Sequence, residues 1–206
     1  MKKVLMILVF IFSNFAYSQA DLVIKGFEAY DRGDYPTALK YFQQACDLKN
    51  GFGCYSIGAM YANEEGIKRD NFKAVKFYKK ACDLNDGSGC SNLGFMYANG
   101  YGVKKDNFKA VELFRKACSL NNNLGYFNLG FMYEKGQGVK KDNFKAVELY
   151  QKACDLNNGS GCNNLGIMYE NGDGVRRNLY KALEYFGKAC DLKSDEGCQN
   201  YARLKR

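Results

Sequence analysis

Nine cysteines recur along the chain at regular intervals, and their spacing constrains the fold more than any other feature. Five of them lie 36 residues apart, at Cys46, Cys82, Cys118, Cys154 and Cys190. A second series starts eight residues later with the same step, at Cys54, Cys90, Cys162 and Cys198, and Tyr126 stands where its middle member would be. A constant period of about 20–50 residues is typical of stacked supersecondary units. The sequence therefore predicts a repeat protein.

Each repeat contains two segments with helical periodicity. In residues 90–118, CSNLGFMYANGYGVKKDNFKAVELFRKAC, apolar residues recur at helical spacing at Leu93, Met96 and Tyr97, and again between Ala110 and Ala117. The copies at 126–154 and 162–190 repeat this pattern. Each repeat is therefore predicted to be an antiparallel pair of helices.

The boundary between the two helices is marked by residues with specific backbone preferences. Gly100 and Gly102 can adopt positive φ and end the first helix. Asp106 follows at the N-cap position of the second helix. Its carboxylate can accept backbone N–H bonds at the positive helix end. The same role is predicted for Asp70, Asp142 and Asn178. Small residues recur where the two helices must approach closely: Gly94, Gly130, Gly166, Ala74, Ala110, Ala146 and Ala182.

The repeats are expected to fill residues 21–206 as one domain. Residues 22–48 form a shorter first unit without the G-x-G-V insert, and a last helix from about Asp195 to Leu204 has a polar end that suits a cap. The predicted fold is all-α: an α/α superhelical repeat solenoid of five helix pairs and a C-terminal capping helix.

Residues 1–20 have the pattern of a cleavable signal peptide. Lys2 and Lys3 precede an apolar run from Val4 to Phe12, which is followed by small and polar residues up to Ala20. The apolar run is too short to span a bilayer. Export to an oxidising compartment is therefore expected, with the mature chain either secreted or periplasmic.

The cysteines are placed to form disulfide bonds at the junctions between helix pairs. One of each pair lies near the end of a second helix, and its partner lies at the start of the following helix. The predicted bonds are Cys46–Cys54, Cys82–Cys90, Cys154–Cys162 and Cys190–Cys198. Each would stabilise the fold by about 2–3 kcal/mol in the chain-entropy model.

Cys118 is left without a partner, because Tyr126 occupies the matching position. One interpretation is a buried, inert thiol in a degenerate copy. The other is a free thiol that reacts, or that links two chains into a disulfide-bonded dimer.

The pattern N-L-G-x-M-Y-x-x-G-x-G-V-x-x-D-x-x-K-A resembles the Sel1-like repeat, a relative of the tetratricopeptide unit. With a C-x7-C pair in nearly every copy, residues 22–206 resemble the secreted Helicobacter cysteine-rich proteins. The resemblance implies a right-handed superhelix and export. It also implies penicillin binding with weak β-lactamase activity, or modulation of host cells. No residue here matches a catalytic motif that the resemblance could supply.

The composition argues against most catalytic machinery within these 206 residues. The chain contains no histidine, so Ser-His-Asp and Cys-His relays and histidine-ligated zinc sites are excluded. No S-x-x-K motif occurs, so the usual serine β-lactamase nucleophile is missing. We predict neither a metal site nor a cofactor, and β-lactam hydrolysis remains an implication of the resemblance alone.

Two series of polar residues are candidates for ligand contact. On a concave face, four asparagines could hydrogen-bond an extended peptide; alternatively, they bond neighbouring helices. They are Asn92, Asn128, Asn164 and Asn200. Tyr61, Tyr97, Tyr133 and Tyr169 form the second series, which is more typical of a helical core.

Four basic doublets lie in the loops between paired helices. They are Lys68-Arg69, Lys104-Lys105, Lys140-Lys141 and Arg176-Arg177. They precede a helix N-terminus, where positive charge does not favour the helix dipole. Either they are solvated loop residues, or they form a basic stripe that binds an acidic glycan, a lipid headgroup or a protein. The overall charge of +8 is no nucleic-acid signature by itself.

The sequence thus favours a secreted, disulfide-stapled repeat protein that binds a peptide, a peptidoglycan fragment or a host protein along its concave face. The alternative is a weak β-lactamase or penicillin-binding protein that acts on a β-lactam.

Overall fold

The computed structural model describes residues 19–206, and within that range the chain forms eleven helices and no strand. The helices are α1 (19–31), α2 (Tyr35–Asp47), α3 (Gly51–Asn63), α4 (Asn71–Asp83), α5 (Gly87–Asn99), α6 (Asn107–Ser119), α7 (Asn123–Lys135), α8 (Asn143–Asp155), α9 (Gly159–Asn171), α10 (Leu179–Asp191) and α11 (Asp195–Leu204). The all-α repeat class predicted from the sequence is confirmed. Residues 1–18, most of the predicted signal peptide, lie outside the described residues. No helix in residues 19–206 combines the length and apolarity needed to cross a bilayer.

The helices belong to two compact units, Met1–Gly89 and Cys90–Arg206. In the first unit, α2 and α4 both pack against α3. In the second unit, consecutive helices pack from α6 to α11, and α11 also contacts α9. The last helix, α11, has the bounds expected from the sequence, and it packs against both helices of the last pair, α9 and α10.

The loop inside each helix pair closes through a repeated set of backbone bonds. In the second unit, the Asp106 N–H donates to the Tyr97 carbonyl over 2.9 Å. The Asp106 carboxylate accepts the N–H of Lys109 at 3.0 Å. Asp70, Asp142 and Asn178 cap their helices in the same way. The predicted N-caps are therefore confirmed.

The first and second glycines of the G-x-G loops have different roles, shown by Gly100 in the loop after α5 and Gly138 in the loop after α7. Gly100 has φ +75° and ends α5 with a bond from its N–H to the Met96 carbonyl. Gly138 has φ +67° and lies so close to Asn107 that a Cβ atom there would collide with the Asn107 carbonyl. The first glycine thus reverses the chain, and the second lets the loop of one repeat stack on the preceding repeat.

Within a pair, a glycine of the first helix lies against an aromatic ring of the second. A Cβ on Gly94 would be 2.7 Å from Phe114, and one on Gly166 would be 2.6 Å from Phe186. Both rings are almost fully buried. The close approach predicted from the recurring small residues is confirmed, and it places one large aromatic side chain in the core of each pair.

A second glycine series forms the junction between consecutive pairs. At one junction, Asn121 adopts φ +55° and Asn122 caps α7 by accepting the Gly125 N–H. A Cβ on Gly125 would lie 2.6 Å from the Cβ of Ala117. The same contact joins Gly53 to Ala45, Gly89 to Ala81, Gly161 to Ala153 and Gly197 to Ala189. Two helix ends can therefore meet only because neither residue carries a larger side chain.

We predict that Gly125→Ala destabilises the protein by about 1–3 kcal/mol, because the added methyl overpacks a contact with backbone and a fixed Cβ. Chemical denaturation under non-reducing conditions measures the free energy of unfolding. This junction has no predicted disulfide, so the measured cost is not obscured by a covalent bond.

Gly187→Ala is the matched control. Gly187 lies inside α10, and the nearest atom to a new Cβ is a ring carbon of the Tyr201 side chain at 3.3 Å. Removing a helix-interior glycine there is expected to be neutral or to stabilise by up to about 1 kcal/mol. Equal losses in both variants would contradict the junction model.

Candidate functional site

The disulfide bonds lie directly beside the glycine–alanine contacts of the junctions. The structure joins Cys46 to Cys54, Cys154 to Cys162 and Cys190 to Cys198, with Cα atoms 4.7, 4.6 and 4.4 Å apart. Cys82 and Cys90 are disulfide-bonded as well. Each of these residues follows an alanine at a helix end or a glycine at a helix start. The small neighbours therefore bring the sulfurs within bonding distance.

Cys118 is a free cysteine in the same structural position. It packs against the core cluster that contains Phe114 and Leu129. Burial raises the pKa of its thiol from 9.0 to about 12. Because the nucleophile is the thiolate, this environment favours the inert interpretation over the reactive one.

The candidate asparagines make contacts between helices. The Asn128 amide donates to the Ser91 hydroxyl at 3.3 Å, and the Asn200 amide donates to Asn163 at 2.9 Å. Asn164 hydrogen-bonds the phenol of Tyr150, and Asn92 also has an interaction partner. These bonds agree with the helix-bonding interpretation, while ligand contact through the same side chains remains a prediction.

The tyrosine series belongs to the packing of each pair. Lysines from the third position of the second helices lie over the rings, 4.4 Å from the ring centre for Lys109 and Tyr97 and 5.1 Å for Lys181 and Tyr169. Tyr169 also stacks on Tyr185. Such cation–π contacts are worth about 0.5–1 kcal/mol at exposed sites. All four tyrosines are partly buried and pack against the core clusters, which agrees with the core interpretation of this series.

A groove opens between the first helices α5 and α7. We call it the first-helix groove, and its walls include Phe95, Asn99, Phe127, Asn128 and Phe131. Its volume is about 420 Å³. Phe95 and Phe131 remain 45% and 38% exposed although they are large apolar side chains. The groove therefore combines apolar rings with side-chain amides, which is typical of a site that binds a ligand.

A third aromatic series was missed by the sequence reasoning. Phe108, Phe144 and Tyr180, here called the aromatic edge, are 75%, 73% and 89% exposed. Each is the second residue of a second helix, directly after the N1 residue. Phe72 has the same position in the first unit and is 77% exposed. The available signal was an aromatic residue that recurs two positions after each N-cap residue, off the apolar face of its helix.

The basic doublets lie beside the aromatic edge and are solvent-exposed. Lys104 and Lys105 share a cavity with Phe108, and Lys140 and Lys141 share one with Phe144. Arg176 lines the cavity of Phe144 and also that of Tyr180. The second unit therefore carries a continuous surface of alternating cations and protruding rings.

Residues 19–206 offer few side chains of the kinds that carry catalysis or bind metals. In that range no three His, Cys, Asp or Glu side chains form a group able to hold a metal ion. Ser56 and Ser91 are buried, and the Ser56 hydroxyl donates to the Phe52 carbonyl.

We predict that Cys118 reacts with iodoacetamide at pH 8 at least about 100-fold more slowly in the folded protein than in denaturant. The thiolate fraction falls tenfold for each unit by which the pKa rises, and burial raises the pKa of Cys118 to about 12. The difference should shrink as the pH approaches that value, and mass spectrometry of the alkylated peptide measures it.

Tyr126→Cys is the companion variant. It restores the missing member of the second cysteine series at a junction with the same glycine–alanine contact, so the new thiol should pair with Cys118. No alkylation is then expected with or without denaturant. Rapid alkylation of native Cys118 at pH 8 would show that the thiol is reactive.

The Sel1 repeat family model matches residues 25–50, 51–86, 87–122, 124–158 and 159–194. A Helicobacter pylori protein named Beta-lactamase HcpA is 45% identical over 54 residues, 26% of this chain and 22% of that protein. The match therefore spans about a fifth of that relative's length.

Two solved structures show the same fold. A Sel1 repeat protein from Oxalobacter formigenes superposes with a TM-score of 0.83 at 23% identity, over 91% of this chain and 76% of that one. Helicobacter pylori cysteine-rich protein B superposes with a TM-score of 0.52 at 40% identity, over 64% of this chain and 94% of its own.

Disulfides and cysteine-rich relatives together indicate a location outside the cytoplasm. With five consecutive repeats matched over most of its length, the chain belongs to the Sel1 repeat family.

Proposed function

We propose that this protein is exported through its N-terminal segment and serves as a disulfide-stapled binding scaffold, either secreted or periplasmic. Its ligand is an extended peptide segment, in a host protein or in the peptide stem of a peptidoglycan fragment. The observation that carries the proposal is the first-helix groove, where exposed phenylalanines and an asparagine amide line one cavity.

The groove supports a peptide ligand through two kinds of contact. Phe95 and Phe131 would bury an apolar side chain of the ligand, which removes their own apolar surface from water. Asn99 and Asn128 could bond its main-chain amides, since an asparagine side chain both donates and accepts. Because Asn128 is already bonded to Ser91, its orientation is set before a ligand arrives.

Rigid helix junctions support the same proposal. At the start of α7, the close contact between Gly125 and Ala117 holds this helix against the end of α6, so this wall of the groove need not be ordered when the ligand binds. Repeat proteins commonly bind extended ligands along surfaces formed by stacked equivalent helices.

We predict that peptides selected from a random phage-displayed library against the full oxidised chain contain an apolar residue and bind in this groove. Phe95→Ala combined with Phe131→Ala should weaken their binding at least tenfold, because truncating two contact aromatics removes more than about 1.4 kcal/mol. Fluorescence anisotropy of a labelled selected peptide gives the dissociation constant.

The matched control replaces two aromatics of the aromatic edge, Phe108→Ala and Phe144→Ala, and should leave peptide affinity unchanged. If both double variants bind the peptide as well as the parent does, the groove is not the binding site.

A second candidate function is β-lactam hydrolysis, and the name of the Helicobacter pylori relative HcpA favours it. In this chain Cys118 carries a raised pKa, and the buried Ser56 already donates its hydroxyl proton to a backbone carbonyl. Neither group is activated as a nucleophile, so any turnover would be slow.

We expect nitrocefin hydrolysis by the oxidised protein to stay at the level of a heat-inactivated sample. A rate that scales with protein concentration and survives Cys118→Ser would support the second candidate and would require a nucleophile other than this thiol. Absorbance at high protein concentration follows the reaction.

A further inference from the structure

We propose that the aromatic edge and its basic doublets form a docking surface for an anionic phospholipid bilayer, on which the protein lies as a peripheral protein. This surface meets the first-helix groove at Lys105, which lines both cavities, but none of its three rings lines the groove. The inference does not depend on the peptide ligand proposed above.

The aromatic edge exposes three aromatic rings to solvent. Phe108 and Phe144 keep about three quarters of their surface in solvent, and Tyr180 keeps 89%. By contrast, Phe114 on the helix of Phe108 and Phe186 on the helix of Tyr180 are 2% and 0% exposed. A large exposed apolar side chain repeated at one position marks an interaction surface rather than a packing residue.

Cations surround each ring of the aromatic edge. Phe108 shares its cavity with Lys104, Lys105 and Lys109. The cavity of Phe144 is lined by Lys140, Lys141, Lys145 and Arg176, and that of Tyr180 by Arg176, Arg177 and Lys181. The acidic groups at these sites are the N-caps Asp106 and Asp142, and Asp142 lies 3.8 Å from the Lys145 ammonium. Positive charge therefore dominates the surface and complements an anionic partner.

The shape of the surface favours a bilayer over a rigid polyanion. The rings are exposed at the second-helix N-termini, and the cavities beside Phe108, Phe144 and Tyr180 are wide, about 830, 840 and 630 Å³. Lipid headgroups can enter such cavities while the rings insert among the acyl chains beside them. Surface-bound proteins use this combination, in which apolar side chains enter the interface and each Lys or Arg adds about 1 kcal/mol of attraction to anionic lipid. A polysaccharide chain would neutralise the cations but would leave protruding phenylalanines partly in water.

The test uses the full oxidised chain and vesicles of equal parts phosphatidylglycerol and phosphatidylcholine, with pure phosphatidylcholine as the neutral reference. Co-sedimentation should show binding to the anionic vesicles and at least about tenfold less to the neutral ones. Phe108→Ser, Phe144→Ser and Tyr180→Ser together keep every charge and should lower binding to anionic vesicles about tenfold or more.

Insertion of the aromatic edge can be measured directly, because the chain has no tryptophan. Phe144→Trp should shift its emission to the blue on addition of anionic vesicles, and brominated lipids should quench it. Phe131→Trp places the same reporter in the first-helix groove and should show neither effect. This pair keeps the test independent of whether the triple serine variant folds as well as the parent.

Three results would overturn the proposal. They are equal binding to anionic and neutral vesicles, binding that survives the triple serine substitution, and an indole at position 144 that stays in water while the protein is bound. If heparin binds and vesicles do not, the surface recognises acidic polysaccharide instead. Peptide affinity in the groove variants is measured separately, so failure of either proposal is distinguishable from failure of the other.

Discussion

The contact between a glycine at the start of one helix and an alanine at the end of the preceding helix is the constraint on which the described structure depends. It occurs at Gly53, Gly89, Gly125, Gly161 and Gly197, and each added Cβ would lie 2.5–2.8 Å from an alanine Cβ. Where cysteines follow these residues, the Cα atoms come within 4.4–4.7 Å in the bonds described here. At Cys118 and Tyr126 the same contact exists without a predicted disulfide, so close packing alone suffices to form the junction.

The repeat leaves two surfaces of different character in the second unit. On the first helices, Phe95 and Phe131 stand beside asparagine amides in a groove. At the N-termini of the second helices, Phe108 and Phe144 protrude among lysines. Both surfaces arise by repetition of one residue position, and a repeat architecture multiplies any exposed side chain into an extended surface.

Much of the fold could be predicted from local signals. Asp106 caps α6 and Gly100 ends α5 because cap bonds and left-handed turns involve residues only a few positions apart. The candidate surfaces were harder to predict. The sequence reasoning singled out Asn128, whose amide bonds Ser91 in the structure, and overlooked Phe108, which is three-quarters exposed. The bond made by Asn128 and the exposure of Phe108 depend on residues about one repeat away. Helical periodicity does not encode contacts over that distance in sequence.

The sequence by itself determined the period of the repeat, the helix pairs and their caps, because these follow from residue types within one or two helical turns. Only the tertiary structure decided which aromatics are covered. Tyr97 lies under Lys109 within its pair, and Phe114 fills the space that Gly94 leaves open. Phe108, on the same helix as Phe114, remains 75% exposed. The physical reason is that burial is set by what the adjoining helices place opposite a side chain, and not by its own hydrophobicity.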